Sequence, residues 1–186
     1  MRIVVIGTSG AGKTTLAHAI AARLALPHIE LDAINWQPGW RDLARYEPAT
    51  FARRVAEVIQ AEEWVIDGNY GDVRDAIWRR ATHLVWLDYD RPVIMARVIR
   101  RSLLRVVLRT RVWAGNRERW HDLVHPSHPI RWAWSSWSRL RAATAEQLGR
   151  AEYAHLVVLR LRRPEEARDM AGQPNRGSGG ILQAPR

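Results

Sequence analysis

Eight consecutive residues carry the densest chemical signal in this sequence. Gly7-Thr8-Ser9-Gly10-Ala11-Gly12-Lys13-Thr14 fits the spacing Gly-x-x-x-x-Gly-Lys-Thr. Glycines at these places let successive backbone N–H groups turn inward around a phosphate. A helix beginning at the lysine would add the partial positive charge of its N-terminus. The Lys13 ammonium would then bridge β- and γ-phosphates, and the Thr14 hydroxyl would face Mg²⁺. Thr15 closes the stretch expected to touch a nucleoside triphosphate. Lys13 is the only lysine among 29 basic residues, and it stands where a compact cation on a flexible stem is needed.

Two carboxylates are placed to work with that loop. Asp32 and Asp67 each follow a short apolar run that reads as a strand, and ligands of open parallel sheets sit at the carboxyl ends of strands. Asp67 is the better Mg²⁺ candidate, acting through water because Mg²⁺ keeps much of its hydration shell. Asp32 could orient or deprotonate an acceptor hydroxyl, with Glu30 on the same strand face. Asp88 also ends a strand. Asp88-Tyr89-Asp90-Arg91-Pro92 reads equally as a helix-capping loop, so Asp88 is not assigned to the site.

Arginine supplies the rest of the charge. Arg97, Arg101, Arg105 and Arg109 recur every four residues, with Arg100 alongside, which keeps them near one helix face. Met95, Ile99, Leu103 and Val106 are expected on another face. Eight arginines and one acid, Glu118, lie between Arg97 and Arg119. Three readings stand side by side. One is a lid that brings Arg97 and Arg101 to a transferring phosphoryl group. Another is a nucleic-acid surface. The last is a solvated basic face. The phosphate loop in the same chain favours the lid and leaves nucleic acid secondary.

The remaining polar and aromatic clusters say less. His121, His125 and His128 could be imagined around zinc, but two precede prolines and no cysteine accompanies them. Trp64, Trp86, Trp134 and Trp137 read as core. Trp36 and Trp40 flank a Pro-Gly turn just after Asp32, where they could wall a substrate pocket by stacking or cap the core.

The elements that must hold these residues follow from periodicity. Strands are expected at residues 2–6, 28–31, 64–66, 83–87 and 155–161. Helices are expected at 13–24, 48–62, 73–80, 92–110, 130–148 and 164–170. The fold class is therefore α/β, a three-layer α/β/α arrangement on a five-stranded parallel sheet. One domain is expected over residues 1–170, with a helical Arg-rich lid at about 97–128 and a Gly-rich tail at 171–186. The chain has 186 residues, a formal charge of +10 and no cysteine. A disulfide framework, a Cys-ligated zinc site and a thiol nucleophile are excluded, and a cytoplasmic location fits. No apolar run reaches the length of a membrane span, so no membrane partner is expected. Nothing in the sequence sets an oligomeric state.

Several segments together resemble a known group. The phosphate loop, Ile29-Glu30-Leu31-Asp32, Trp64-Val65-Ile66-Asp67-Gly68 and the arginine helix look like the adenylate kinase and shikimate kinase-like branch of P-loop kinases. Leu31-Asp32-Ala33-Ile34-Asn35-Trp36 with Pro38-Gly39-Trp40, and Ile66-Asp67-Gly68-Asn69-Tyr70, resemble more closely the DNA topology modulation proteins, which are adenylate kinase-like ATPases. The resemblance covers about residues 1–170. It implies the strand order 2-3-1-4-5, ATP and Mg²⁺ as cofactors, and γ-phosphoryl transfer to a small-molecule or nucleotide acceptor. The alternative it carries is an ATP-dependent, nucleic-acid-associated regulator. By position, Asp67 matches the acidic residue near Mg²⁺, Arg97 and Arg101 the lid arginines, and Asp32 the acceptor-side Asp of shikimate kinase-like enzymes. The Arg163-Pro164 turn falls where such kinases hold adenine. Asn69-Tyr70-Gly71 stands where adenylate kinases have Phe-Pro-Arg, which weakens AMP as acceptor, and their Cys-rich zinc lid is absent.

Overall fold

A computed structural model describes residues 1–120, 122 and 128–172 of the chain. The central strand β1 (Arg2–Gly7) owes its position to the run Ile3-Val4-Val5-Ile6, buried on both faces. A strand covered on both sides reads as continuous apolar sequence rather than as alternation. Chain order then gives β2 (His28–Glu30), a two-residue hairpin pair β3 (Trp36–Gln37) and β4 (Arg41–Asp42), β5 (Trp64–Asp67), β6 (His83–Leu87) and β7 (Val157–Leu161). The main sheet is parallel, in the order β2-β5-β1-β6-β7. Counted without the antiparallel β3–β4 pair, this is the expected 2-3-1-4-5.

Helices cover both faces. On one, α1 (Lys13–Leu24) and α8 (Pro164–Gly172) pack over Ile3, Val5 and Val65. On the other, α4 (Pro48–Val58) and α5 (Gly71–Arg80) pack over Val4, Ile6 and Ile66. Two short helices, α2 (Leu31–Asn35) and α3 (Leu43–Tyr46), flank the hairpin. The long α6 (Arg91–Val107) and α7 (Pro129–Leu148) run against each other and carry the chain from β6 to β7.

The structure departs from the periodicity in informative places. Strand β2 ends at Glu30, so Asp32 lies in the first turn of α2 rather than at a strand end. The buried stripe of α6 is Ile94, Val98, Ser102 and Val106, while Ile99 and Leu103 are exposed. That stripe runs one residue ahead of Arg97, Arg101 and Arg105, so the arginines border the buried face instead of opposing it. Helix α7 buries small residues, Ala133, Ser136 and Thr144, which let it approach α6 closely. Trp134 consequently lies outside the core, 58% exposed, with Arg91 stacked 3.7 Å from its ring centroid. Trp64 and Trp86 are buried as expected. Ala171 and Gly172 belong to α8. The expected tail from 173 onward, the lid segment 123–127, His121 and His125 lie outside the described residues.

Candidate nucleotide and acceptor site

Helix α1 starts directly on the glycine loop. Gly12 caps it in the left-handed region, with φ 97°, and its carbonyl accepts the Leu16 N–H at 3.1 Å. The loop has almost no room for side chains. A Cβ on Gly7 would stand 2.9 Å from the Leu87 carbonyl oxygen, and one on Gly10 would stand 2.8 Å from Cβ of Val98. Gly10, at φ +86°, thus holds the loop hard against the backbone of α6.

Lys13 donates to the Thr8 carbonyl at 3.3 Å, which parks the ammonium inside the loop. Burial pushes it below its usual range. The carboxylates of Asp32 and Asp67 pull against that shift, and Arg101 adds to it. Two arginines of α6 reach the same loop: Arg97 donates to the Ala11 carbonyl at 2.8 Å and Arg101 to the Ser9 hydroxyl at 3.2 Å. Arg97 also lies over the Tyr89 ring, 5.3 Å from its centroid.

Asp67, the last residue of β5, is 2% exposed. Its Oδ2 accepts from the Thr14 hydroxyl at 2.7 Å, and its Oδ1 lies 2.7 Å from His28 Nε2. Thr14 also lies 3.2 Å from Glu30 Oε1. Thr14 and two carboxylates therefore meet within hydrogen-bond distance, an all-oxygen set that suits a hard cation such as Mg²⁺. Among the described residues, no group of three His, Asp or Glu is arranged to hold a metal by itself.

Asp32 accepts a 2.5 Å hydrogen bond from the Tyr70 hydroxyl. Burial first, and Asp32 second, hold that phenol well above its usual pKa, so it remains a donor. Tyr70 is fixed in turn against Phe51, with ring centroids 4.9 Å apart. The joint between the two carboxylate-bearing segments is narrow: a Cβ on Gly68 would stand 2.7 Å from Leu31 Cβ.

Lys13, Asp67, Arg97 and Arg101 make contacts at or beside the glycine loop, and Asp32 lies close enough to act on the Lys13 charge. Thr15 is exposed. Arg105 is turned aside to Glu118 at 2.8 Å. His128 Nε2 lies 3.7 Å from the other oxygen of that Glu118. Sequence reasoning missed His28, a polar residue at the start of a strand next to Asp67. It also missed Asn116 and Trp113, whose partners are distant in the chain. Asp88 has an ionic role at the rim: Arg160 Nη2 lies 2.6 Å from Oδ2 and Arg141 Nε 2.9 Å from Oδ1. Asp88, Arg141, Gly7, Asn69 and Trp137 line a small cleft beside the loop. Among the described residues, no helix is long and apolar enough to cross a membrane.

No family model and no curated protein matches the chain. Solved structures do. The shikimate kinase of Acinetobacter baumannii, in complex with shikimate, superposes with a TM-score of 0.56 at 17% identity, over 91% of this chain and 88% of that one. The shikimate kinase of Bacteroides thetaiotaomicron gives 0.55 at 19% identity, over 92% and 94%. The shikimate kinase of Aquifex aeolicus gives 0.50 at 14% identity, over 91% and 94%. None of these matches carries the likeness to the topology modulation proteins. Identities this low speak for architecture alone: a five-stranded parallel sheet with helices on both faces.

Proposed function

We propose that the chain is a phosphotransferase that moves the γ-phosphoryl group of ATP, with Mg²⁺, to a hydroxyl of a small molecule or nucleotide. The observation that carries this reading is the convergence of Lys13, Arg97, Arg101 and the Thr14–Asp67 pair on one glycine loop. Phosphoryl transfer asks a protein mainly for placement and charge compensation. Lys13 is held by a single long hydrogen bond to Thr8, which a phosphate oxygen would replace. Arg97 and Arg101 hold the loop from the lid helix and would turn to the transferring group. Thr14, Asp67 and Glu30 would hold Mg²⁺, which would offset the charge of the phosphates. His28 fixes the Asp67 carboxylate from behind.

Asp32 supplies the acceptor side. Its Oδ1 is occupied by Tyr70, which leaves Oδ2 to take the proton of an acceptor hydroxyl. The structural likeness to a shikimate kinase in complex with shikimate supports a small-molecule acceptor.

Turnover of ATP by the Lys13→Ala variant tests the reading. A loss of about a hundred-fold or more is expected when the main transition-state cation is removed. Unchanged turnover would sink it. Exposed Arg100, Arg109, Arg111, Arg117 and Arg119 support a secondary reading in which nucleic acid binds the outer lid. That reading predicts duplex affinity that falls steeply with salt. Arg105 contributes nothing to it, being committed to Glu118.

A further inference from the structure

The lid is fastened to the two halves of the site at separate places. Its root, α6, reaches the glycine loop through Arg97 and Arg101. Its tip is a 3₁₀ turn, Trp113–Gly115, set on the β3–β4 hairpin and on α2. Asn116, the residue after that turn, is 7% exposed and grips the hairpin with both arms of its amide. Its Oδ1 accepts the Trp40 N–H at 3.1 Å, and its Nδ2 donates to the Gln37 carbonyl at 2.9 Å. Trp40 donates in turn through Nε1 to the Arg117 carbonyl at 3.2 Å. The Trp113 and Trp40 rings pack edge-on, with centroids 6.4 Å apart. Both sides of this contact are tightly wound. Gly39 and Trp40 have φ of 74° and 60°, and Ala114 and Gly115 have φ of 55° and 76°. Left-handed backbone is costly for a residue with a Cβ, so Trp40 and Ala114 keep it only while their surroundings hold them there. At Trp40 the Asn116 amide supplies part of that hold by taking the N–H.

Each side of the contact leads back to a residue of the site. On the hairpin side, Gln37 Nε2 donates to the Ile34 carbonyl at 3.1 Å, and Ile34 lies two residues after Asp32 in α2. On the lid side, Glu118 lies two residues after Asn116, is 7% exposed, and accepts from Arg105 at 2.8 Å. Arg105 stands one helical turn beyond Arg101, which donates to Ser9 at 3.2 Å. Asn116 therefore stands between the acceptor carboxylate and the phosphate-side arginines. A hydrogen bond or a short stretch of chain makes every step on either side of it. An Asn side chain suits the place because its amide offers a donor and an acceptor together.

Resting on the proposed nucleotide site, we infer that Asn116 is a positioning residue: it latches the lid tip to the acceptor-side hairpin, so that nucleotide in the loop and order in the hairpin favour each other. When Arg97 and Arg101 turn from the loop to the phosphates, the nucleotide holds α6. The Arg105–Glu118 pair passes that hold to the tip, and a tip held in place keeps its hydrogen bonds to Gln37 and Trp40. Unlatching does the reverse. It gives the Trp40 amide to water and lets Trp40 leave the left-handed region. Coupling of this kind is reciprocal, so a hairpin that holds the tip also raises affinity for the nucleotide.

The experiment uses the full chain with Mg²⁺ and a non-hydrolysable ATP analogue. Hydrogen–deuterium exchange is followed over the hairpin, and analogue affinity is measured by calorimetry. In wild type the analogue should slow exchange at the Trp40 amide about five-fold or more. In Asn116→Ala that amide should exchange fast with and without the analogue, and affinity should fall about five-fold or more. Asn116→Leu keeps a side chain of similar size and loses both polar arms, so it should match Asn116→Ala. A merely structural Asn116 would speed exchange in the variants and leave the response to nucleotide intact. A cooperative thermal transition reports that each variant is folded, and the wild-type measurement tests the inference without any variant. Hairpin exchange in wild type that ignores the analogue, or an undiminished response in Asn116→Ala or Asn116→Leu, overturns the latch and leaves the kinase reading standing. A wild-type chain that does not bind the analogue removes both.

Discussion

Replacing Gly10 by alanine tests whether the glycine loop is clamped by α6. Two costs add. Gly10 sits at φ +86°, and an L-residue in the left-handed region loses about 1–2 kcal/mol. The new Cβ would also stand 2.8 Å from Val98 Cβ and 3.1 and 3.2 Å from the Val98 N and Cα. Helix backbone cannot rotate out of the way, so the overpacking adds about 1–3 kcal/mol. The expected loss is about 2–5 kcal/mol in urea unfolding. Gly39→Ala is the control: φ is +74° and nothing lies within 4 Å, so only the backbone cost of about 1–2 kcal/mol applies. A shifted α6 also withdraws Arg97 and Arg101 from Ala11 and Ser9. Calorimetry should show ATP-analogue affinity reduced about ten-fold or more, equivalent to about 1.4 kcal/mol. Equal destabilisation by the two substitutions, or unchanged nucleotide affinity in Gly10→Ala, refutes the clamp.

Two further substitutions probe the frame. Asp88→Asn leaves Arg141 and Arg160 without their shared carboxylate. Both guanidinium groups are about a third exposed, so the loss should sit near the low end for a broken buried pair, about 3 kcal/mol in urea. A loss below about 1 kcal/mol would place that carboxylate's worth elsewhere. Tyr153 is buried and donates to Asp75 at 2.6 Å; burial and that hydrogen bond push its phenol up to about 12, against 10.0 when unperturbed. The folded chain keeps this proton through a window where the unfolded chain has lost it. Its contribution is fully present below pH 10 and is lost as pH rises towards 12. The stability difference between wild type and Tyr153→Phe should shrink across that window, and a constant difference contradicts the assignment.

The local rules of sequence recover what is local. Ile3-Val4-Val5-Ile6 has no alternation, so β1 had to lie covered on both faces, and Gly12-Lys13 had to start a helix. Helix α6 shows where this stops. Its sequence offers two apolar stripes of similar strength, Met95-Ile99-Leu103 and Ile94-Val98-Ser102-Val106. The second is buried because Gly10 leaves room for Val98 and Ser102 is small. Neither fact is visible within the helix. The same holds in α7, where Ala133, Ser136 and Thr144 win the core by closeness of approach and Trp134 is left outside. For the site, Lys13, Asp32, Asp67, Arg97 and Arg101 were legible by type and position. Their partners were not. His28, Tyr70 and Glu118 meet Asp67, Asp32 and Arg105 across 39, 38 and 13 residues, distances that only the fold closes.

The contact of Gly68 with Leu31 has a consequence for how this chain can diversify. One residue precedes Asp32 and the other follows Asp67, so the two carboxylates are joined by a single apolar contact with no slack. Any side chain at 68 would push α2 away and change the spacing between Asp67 and Asp32. Beyond that joint the constraint relaxes: Pro38 and Gly39 at the hairpin tip are exposed, and Gly39 has open space around it. The exposed tip can therefore change while the glycine loop stays untouched, whereas Asn35 is fully buried and Gln37 and Trp40 are tied to Asn116. Leu31 and Gly68 can change only together.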